Sequence, residues 1–455
     1  MVSAKEFSKK TKQLQKQYKL AISEGKTVAL RKKTTNLFRA RRQEATAFLD
    51  VSLFTNVISI NKHSKTAEVE GMATYETIVA ETLRHGLMPA VVPQLKTITL
   101  GGAVTGVGIE SSSWRYGFPH ETVESMEILL GNGDIVVATA TNNHKDLFFG
   151  FPNSYGSLGY ALKLKIKLVA VKKYVKLQYY KFGNSKEFLS AFKDACKQGQ
   201  WNNAKFDFID GMIYKKGQYY MIVATMTDNA PYLSDYKSKH IFYKSIISRS
   251  EDYLTISDYI WRWDTDWFWC SQNLGAQNKF LRKLYGKKRL RSDFYMKLFG
   301  LEKKYGINAK LSKLLKKSPP ERVIQDVEIP IENTEKFLDY YFKTINILPV
   351  WVCPIKQTNA KVEWSLYKID PNKLYLNFGF WSSVKSKKSD PFWHNKSLES
   401  KVGELKGKKS LYSDVFYDEK TFWRLYNKQK YSILKKHYDK HGFLKDLYQK
   451  TVKRG

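Results

Sequence analysis

A segment rich in glycine and hydroxyl side chains, residues 95–117, constrains the fold of this chain more than any other feature. Four glycines fall between Gly101 and Gly108, and the serines Ser111 to Ser113 follow them. Glycine lets a backbone run close to a ligand and expose consecutive N–H groups, while hydroxyls add further donors. A diphosphate or a flavin ring edge requires such donors. The segment predicts a cofactor-binding backbone, with a glycine-rich loop that holds no ligand as the alternative.

The glycine pattern is not the dinucleotide fingerprint of a Rossmann unit. Gly106-Val107-Gly108 lacks the third glycine, and no helical run with an acidic residue follows at the required distance. A different cofactor-binding scaffold is therefore expected.

The length of the chain predicts two domains. It has 455 residues, whereas single hydrophobic cores stop growing at about 250–300 residues. A hydrophobic content of 43% excludes a disordered chain. Cys196, Cys270 and Cys353 lack the paired spacing of a zinc site or a disulfide framework, so we predict no metal and a reducing compartment.

Short strands and turns dominate the chain up to about residue 171. We predict strands over 27–30, 57–60 and 66–70, a helix over 75–85 that ends at Gly86, and an alternating strand over 160–169. Residues 131–134, Gly-Asn-Gly-Asp, tolerate positive φ and predict a tight turn between two strands over 128–137. This mixture indicates an α+β fold.

The composition changes near residue 175, after which Trp and Tyr become frequent, and we place a domain boundary there. Trp261, Trp263, Trp267 and Trp269 occupy odd-numbered positions, which predicts a strand with one largely aromatic face. A second α+β unit follows, with strands over 323–329, 350–355 and 374–381 and a helix over 334–345 capped by Asn333. Residues 420–454 are charged and helical.

Residues 5–24 predict a basic amphipathic helix, since Phe7, Leu14, Tyr18 and Ile22 recur at near-helical spacing among lysines. Such a helix suits either an anionic membrane surface or packing on the body of the protein. The net charge of +34 attracts anionic partners. Scattered lysines that seldom alternate with aromatics make nucleic acid an unlikely partner. We expect an intracellular protein, cytoplasmic or peripheral on a membrane.

The residues of the glycine segment resemble a known FAD-binding segment. Gly101-Gly102-Ala103-Val104-Thr105-Gly106-Val107-Gly108-Ile109-Glu110-Ser111-Ser112-Ser113, followed by Arg115-Tyr116-Gly117, is similar to that of the vanillyl-alcohol-oxidase, or PCMH-type, superfamily, and most similar to its delta(24)-sterol reductase branch. Residues 154–159 resemble the second flavin-contact region of that family. Together with segments at 349–354 and 411–414, the resemblance covers about residues 27–450.

The resemblance implies a two-subdomain FAD-binding domain at 27–175 and an α+β cap domain with an antiparallel sheet at 176–400. A basic helix at 1–26 precedes them, and a helical segment at 401–455 packs back on the FAD domain. The implied FAD contacts are Thr99, Gly101, Gly102, Thr105, Gly106, Gly108, Ser111, Ser112, Ser113, Tyr116, Gly117, Gly156, Ser157 and Gly159. Many members of that family link the flavin covalently to a histidine. Neither the glycine segment nor the basic loop at 31–42 contains a histidine, so we expect non-covalent FAD.

The resemblance also implies a hydride relay, in which NADPH reduces FAD and the flavin passes hydride to a carbon–carbon double bond while an acid protonates the other carbon. The many aromatics suit an apolar, sterol- or prenyl-like substrate. Candidate catalytic residues are Tyr259, Arg262 and Tyr412, with Lys356 and Asn377 as further candidates. Core tyrosines and an Arg262 pair with Asp264 or Asp266 are the structural alternatives.

Three functions stay open at this point. The first is the reductase, the second an FAD-linked sugar or alcohol oxidase or dehydrogenase, and the third a cofactor-free fold used as a basic binding protein. The third rests on the loop at 31–42, which is rich in Arg and Lys and has no glycine. Basic side chains there could instead neutralise the FAD diphosphate. The oligomeric state is not predicted.

Overall fold

A computed structural model describes residues 3–32, 38–39, 46–305, 320–385 and 388–452 of the chain. These residues form an α+β fold with two main antiparallel sheets, as predicted. Within the described ranges, no helix combines the length and the apolar character needed to cross a bilayer.

The predicted N-terminal helix is confirmed as α1, Ala4–Ser23. The Ser3 hydroxyl caps it by accepting a hydrogen bond of 3.2 Å from the Glu6 N–H. Phe7, Leu14 and Tyr18 are buried in a cluster shared with the first sheet. The apolar face of α1 is therefore covered by protein, which contradicts the membrane-surface interpretation of this helix.

The first main sheet contains six strands. They are β3 (Val57–Asn61), β4 (Thr66–Glu70), β5 (Leu87–Pro89), β6 (Val123–Leu129), β7 (Ile135–Thr139) and β8 (Tyr160–Ala170), after a separate parallel pair, β1 (Val28–Arg31) with β2 (Ala47–Asp50). Their order is β3-β4-β8-β6-β7, with β5 paired to β8. The predicted hairpin is confirmed, because β6 and β7 pair up to Leu129 and Ile135. The helices here are α2 (Tyr75–Leu83), α3 (Leu100–Gly106), α4 (Ser113–Tyr116) and α5 (Lys145–Gly150).

The second main sheet contains eight strands. They are β9 (Tyr174–Phe182), β12 (Phe208–Lys215), β13 (Gln218–Thr227), β14 (Glu251–Thr255), β15 (Glu321–Pro330), β16 (Val350–Ile355), β17 (Tyr375–Val384) and β18 (Lys408–Lys409), with a small hairpin of β10 (Gln200–Trp201) and β11 (Ala204–Lys205) outside the sheet. The order is β14-β9-β13-β12-β16-β17-β15-β18. The predicted strands over 323–329, 350–355 and 374–381 are confirmed.

Ten helices of the described chain accompany the second sheet and the C-terminal region. They are α6 (Ser185–Gln198), α7 (Phe242–Ser245), α8 (Ile256–Ile260), α9 (Lys279–Arg289), α10 (Ser292–Tyr305), α11 (Thr334–Thr344), α12 (Trp393–Glu404), α13 (Glu419–Leu425), α14 (Lys428–Tyr438) and α15 (Leu447–Thr451). The helix predicted over 334–345 is thus confirmed as α11. Asn333 does not cap it with its side chain, because its amide donates to the Leu405 carbonyl instead, at 2.9 Å.

The two faces of the eight-stranded sheet pack against different cores. Along β16, Val350 and Val352 belong to the cluster covered by α6, α11 and α12, whereas Trp351 and Cys353 belong to the large core shared with the first sheet. Successive side chains of a strand point to opposite faces. The sheet therefore presents its second face, with Trp351, towards the glycine segment.

The predicted aromatic strand at 261–269 is wrong. These residues form consecutive turns after α8, with positive φ at Trp267 and Phe268. The intervening residues are not solvent-facing: Asp264 accepts a hydrogen bond of 2.5 Å from the Ser292 hydroxyl, and Asp266 forms an ion pair of 2.6 Å with Arg282. Because the buried carboxylates of Asp264 and Asp266 need partners, the chain turns rather than extends.

The C-terminal helices contact the first domain region. The ammonium of Lys435 donates to the Ser157 carbonyl at 2.8 Å, and the Tyr438 hydroxyl donates to Asp146 at 2.7 Å. We retain the division into 1–26, 27–175, 176–400 and 401–455 as a proposal about folding units.

Candidate functional site

The first half of the glycine segment is helical rather than an open loop. Helix α3 begins after Thr99, whose hydroxyl accepts a hydrogen bond of 3.2 Å from the Gly102 N–H. Gly101 permits a close approach of two backbones, since its N–H donates to the Gly71 carbonyl at 2.8 Å and an added Cβ would lie 2.8 Å from the same oxygen. The cap residue therefore starts a short helix, and the chain opens again after Gly106.

A cavity of about 610 Å³ lies against this segment. Its wall includes residues of the first domain region and eight aromatic side chains: Phe38, Tyr155, Tyr160, Trp267, Phe268, Trp351, Trp381 and Tyr412. The rings of Phe268 and Trp381 stack with centroids 4.1 Å apart. Cofactor and ligand pockets have volumes of about 300–1,000 Å³ and are mostly apolar, so the cavity has the size and lining of a ligand site.

Part of the predicted cofactor-binding set lines the cavity. Thr99, Gly102, Thr105, Gly106 and Gly108 do so. The lining described for the cavity does not include Gly101, Ser111, Ser112, Ser113, Tyr116 or Gly117.

The three serines instead make internal hydrogen bonds that hold the segment in place. Ser111 donates to Glu110 at 2.6 Å, Ser112 donates to the Ala90 carbonyl at 2.8 Å, and Ser113 accepts from the Glu110 N–H at 3.1 Å. Tyr116 ends α4 and is half-buried, and Gly117 follows it with a φ of 70°.

The second predicted flavin-contact region, residues 154–159, reaches the cavity through tyrosines in or next to it. Gly156, Ser157 and Gly159 are buried but lie outside the described lining. Tyr155 and Tyr160 line the cavity instead, and the Tyr155 hydroxyl donates to the Gly106 carbonyl at 2.9 Å. The spacing of the two regions in the sequence could not show which side chain bridges them.

Tyr412 lies on the cavity wall in a buried polar pair that sequence reasoning missed. Its hydroxyl donates to Asp326 at 2.7 Å and accepts from the Trp381 indole at 2.8 Å. Asp326 also lines the cavity, and burial raises the pKa of its carboxyl to about 6. Asn377, one of the further candidates, donates to the other Asp326 oxygen at 2.9 Å. The pair offers a positioned proton at the wall of an apolar cavity.

A second buried carboxyl, Glu328, follows two positions along β15 and faces the same side. Its pKa is raised to about 8, chiefly by burial, and it accepts hydrogen bonds from Tyr367 and from Ser410. Alternation of acidic residues in an apolar strand, at Asp326 and Glu328, is the sequence signal that could have found this cluster.

The other two catalytic candidates lie in a buried ionic cluster outside the cavity lining. Arg262 pairs with Asp210 at 2.8 Å and with Glu110 at 3.4 Å, rather than with Asp264 or Asp266. Tyr259 lies 3.1 Å from the Ser111 hydroxyl, and its ring is 4.0 Å from the Arg262 guanidinium carbon. Burial raises the pKa of Glu110 to about 6 against the opposing effect of Arg262. The cluster joins the glycine segment to β12.

Three further residues, His120, Cys353 and Lys356, lie outside the described lining of the cavity. His120 is fully buried between Phe118 and Trp364. Cys353 is buried in β16. Lys356 is exposed.

The size and the polar lining of the cavity fit FAD. Gln94 lines it with a buried side-chain amide nitrogen that has no hydrogen-bond partner within the described part of the chain. Gly102, Gly106 and Gly108 leave backbone uncovered along one side, and four cations contribute to the lining: Lys32, Arg39, Lys445 and Lys450. Cations of this kind can offset the charge of a diphosphate.

Two of these cations come from the basic loop at 31–42. Lys32 and Arg39 lie on the cavity wall. Residues 33–37 and 40–42 of that loop lie outside the described residues. Lys445 and Lys450 lie in the C-terminal region, and no local sequence pattern indicated that they would line the cavity.

The chain is similar to known FAD-binding proteins, including delta(24)-sterol reductases. A family profile described as an FAD binding domain matches residues 6–139. The chain is 27% identical to delta(24)-sterol reductase of Arabidopsis thaliana, over 94% of this chain and 79% of that protein. It is 25% identical to delta(24)-sterol reductase of Homo sapiens, over 88% and 76%. Cytokinin dehydrogenase 9 of Oryza sativa subsp. japonica, 25% identical, matches only 36% of this chain.

Proposed function

Since this chain is an FAD-dependent oxidoreductase related to the delta(24)-sterol reductases, we propose that it reduces a carbon–carbon double bond of a sterol or isoprenoid-like substrate, with NADPH as the electron donor. The observation that carries the proposal is the aromatic wall of Trp267, Phe268, Trp351 and Trp381 beside the glycine segment. Flat apolar surfaces of this kind suit a polycyclic or prenyl hydrocarbon, and they exclude the water that competes for hydride.

FAD bound in the cavity would accept hydride from the nicotinamide and deliver it to one carbon of the double bond. Thr99, Gly102, Thr105, Gly106 and Gly108 would contact the cofactor along the cavity wall. Lys32, Arg39, Lys445 and Lys450 would offset the charge of its diphosphate, and the side-chain amide of Gln94 would donate a hydrogen bond. No covalent link to the protein is required.

Tyr412 is the proposed proton donor to the second carbon of the double bond. Its hydroxyl lies on the cavity wall, where Asp326 and the Trp381 indole fix its orientation. Burial raises the pKa of Tyr412, so the phenol keeps its proton until the substrate takes it. Once the product leaves, solvent water would return a proton to the phenolate, and the phenol would again donate its hydrogen bond to Asp326. Tyr259 and Arg262 are proposed as positioning residues, because they hold the segment that precedes α4.

The cofactor and the electron donor can be tested on the purified protein. An absorbance spectrum should contain flavin bands, either directly or after FAD is added. Under anaerobic conditions NADPH alone should bleach them, and a sterol with a side-chain double bond should restore them. Bleaching by a sugar or an alcohol, without any effect of NADPH, would support the oxidase or dehydrogenase alternative. Absence of flavin bands even with added FAD would support the cofactor-free alternative.

The proton donor can be tested by separating the two half-reactions. Tyr412→Phe should leave bleaching by NADPH unchanged and slow reoxidation by the alkene about 100-fold or more, the usual contribution of a general acid. Tyr341→Phe is a matched control, since its buried hydroxyl donates to the Ile347 carbonyl at 2.7 Å, in the core on the far face of the sheet. Equal reoxidation rates for both variants would exclude Tyr412 as the donor.

A further inference from the structure

Helices α9 and α10 expose an unusual number of large apolar side chains. Phe280 is 69% exposed, Leu284 is 61% exposed and Leu301 is 51% exposed, and Leu281 and Tyr305 are exposed as well. Isolated exposed apolar residues are normal, but a group of them on one pair of helices marks an interaction site. We call these five residues, with the cations named next, the α9–α10 surface.

Exposed cations lie among these apolar residues along the two helices. They are Lys279, Lys283, Lys287, Lys288, Arg289 and Lys297. Lys287 lies 3.6 Å from Asp235, and both side chains remain accessible to solvent. Long basic side chains beside exposed Phe and Leu are the pattern of helices that lie at the boundary between lipid headgroups and acyl chains.

The α9–α10 surface is held rigidly by the opposite side of the two helices. Arg282 is buried and forms an ion pair with Asp266, while Arg291 forms a bidentate pair with Glu76 at 2.9 and 2.7 Å. Asn278 caps α9 by accepting from the Phe280 N–H at 2.9 Å. The exposure of the apolar residues is thus imposed by a fixed orientation, since Phe280 and Leu284 lie opposite Arg282 on the helix.

The same helices contact the wall of the cavity. The Phe299 ring of α10 meets the Trp267 ring edge-on with centroids 5.6 Å apart, and the Tyr295 hydroxyl donates to the Thr265 carbonyl at 2.9 Å. Trp267 lines the cavity. Helix α10, which carries part of this surface, is therefore in direct contact with a side chain that lines the cavity.

We propose that the α9–α10 surface docks on an anionic lipid bilayer and brings the cavity to the membrane that holds the substrate. This rests on the proposed function for the nature of the substrate. Lipid is favoured over nucleic acid because Phe280, Leu281, Leu284 and Leu301 gain by entering acyl chains, whereas a phosphate backbone needs only the cations. Helix α1 is not proposed as a lipid-binding surface, because its apolar face is buried.

Flotation with lipid vesicles tests the proposal without substrate. The protein, loaded with FAD, is mixed with phosphatidylcholine vesicles with or without phosphatidylserine. Binding should require phosphatidylserine and weaken as salt rises. Phe280→Ser combined with Leu284→Ser should lower the vesicle partition coefficient about tenfold or more, and Lys279→Glu combined with Lys283→Glu should do the same.

Two matched variants control for net charge and for loss of apolar surface. Leu233→Ser with Ile433→Ser removes exposed apolar residues elsewhere, and Lys436→Glu with Lys440→Glu makes the same change of charge elsewhere. Both should bind vesicles like the unmodified protein. Circular dichroism melting checks that every variant is folded.

Several results would overturn the proposal. One is that the unmodified protein does not bind vesicles, and another is that the α9–α10 variants and the control variants bind equally. A third is binding to duplex DNA that is abolished by the Lys279 and Lys283 changes but not by the Phe280 and Leu284 changes. Failure of the proposed function is distinguishable, because a chain that reduces no alkene but binds vesicles through Phe280 and Leu284 would keep this surface. Detergent-dispersed substrate should be reduced equally by the Phe280 and Leu284 variant and its control.

Discussion

Gly101 and Gly106 are five positions apart and have different roles, although the residue type is the same. Gly101 is needed for a backbone approach, because its Cβ would lie 2.8 Å from the Gly71 carbonyl oxygen. Gly106 lines the cavity, and a Cβ added there would have the Tyr155 ring as its nearest neighbour, at 3.3 Å. A glycine in this segment can therefore serve either the fold or the ligand.

We predict that substitutions at these two glycines affect different properties, the stability of the protein at Gly101 and FAD binding at Gly106. Gly101→Ala should lower the free energy of unfolding by about 1–3 kcal/mol, as overpacking does. Gly106→Val should displace the Tyr155 ring from its place on the cavity wall and weaken FAD binding about tenfold or more. Urea unfolding and a fluorescence titration with FAD measure the two effects. Unchanged FAD affinity in Gly106→Val would place the cofactor elsewhere.

His120 makes the stability of the protein depend on pH. Burial lowers its pKa from 6.5 to about 3, and neither ring nitrogen has a hydrogen-bond partner among the described residues. The unfolded chain therefore binds the extra proton between these pH values, so stability falls as pH drops below about 6.5.

His120→Phe should remove this loss, since phenylalanine can stack on Phe118 in the same place. We expect the unmodified protein to lose about 1.4 kcal/mol per pH unit more than the variant between pH 6 and pH 4. Denaturant unfolding at several pH values measures the difference. Parallel pH profiles for the two proteins would mean that His120 does not titrate in this way.

At the level of elements, helix α1 is attached to the first sheet by a buried ion pair. Lys10 reaches Glu70 at the end of β4, and the Glu70 side chain is 0% exposed. The second Glu70 oxygen accepts from the Asn56 backbone and side chain, both at 2.9 Å. The helix is thus a part of the domain rather than an appendage.

Lys10→Met should therefore leave a buried carboxylate without its cation and lower the free energy of unfolding by about 3 kcal/mol. Lys9→Met is the control: Lys9 is exposed on the same helix, and its loss should change stability by less than about 0.5 kcal/mol. Thermal and urea unfolding of the two variants measures this. Equal stability of both variants would contradict the role of the pair.

For the whole molecule, the cluster of Arg262, Glu110 and Asp210 couples the glycine segment to the eight-stranded sheet. Its members come from the turns after α8, from the segment after α3 and from β12. Trp351 extends it to the cavity, because its indole donates to Asp210 at 3.1 Å. Buried charges of this kind lower stability strongly when one partner is removed.

We predict that Arg262→Met lowers the free energy of unfolding by about 3–5 kcal/mol. Arg84→Met removes an exposed pair with Glu81 and should cost less than about 1 kcal/mol. Urea unfolding separates the two. If Arg262→Met were as stable as the unmodified protein but no longer reduced an alkene, Arg262 would act in catalysis rather than in positioning.

The sequence by itself determined the α+β class, the hairpin at 128–137 and the helices α1 and α11, and it drew attention to a glycine segment that partly lines the cavity. Each of these rests on local physics: side-chain periodicity, turn residues that accept positive φ, and glycines that uncover backbone. These signals act over a few residues, so they can be read from the order of residues alone.

Only the tertiary structure decided which of the predicted residues share a cavity. Tyr412 and Asp326 are 86 positions apart, and Arg262 lies 152 positions from Glu110. Alternation of the tryptophans at 261–269 indicated a strand, yet buried partners for Asp264 and Asp266 imposed turns. Burial and pairing of polar groups depend on contacts between distant segments, and a local pattern carries no information about which segments will meet.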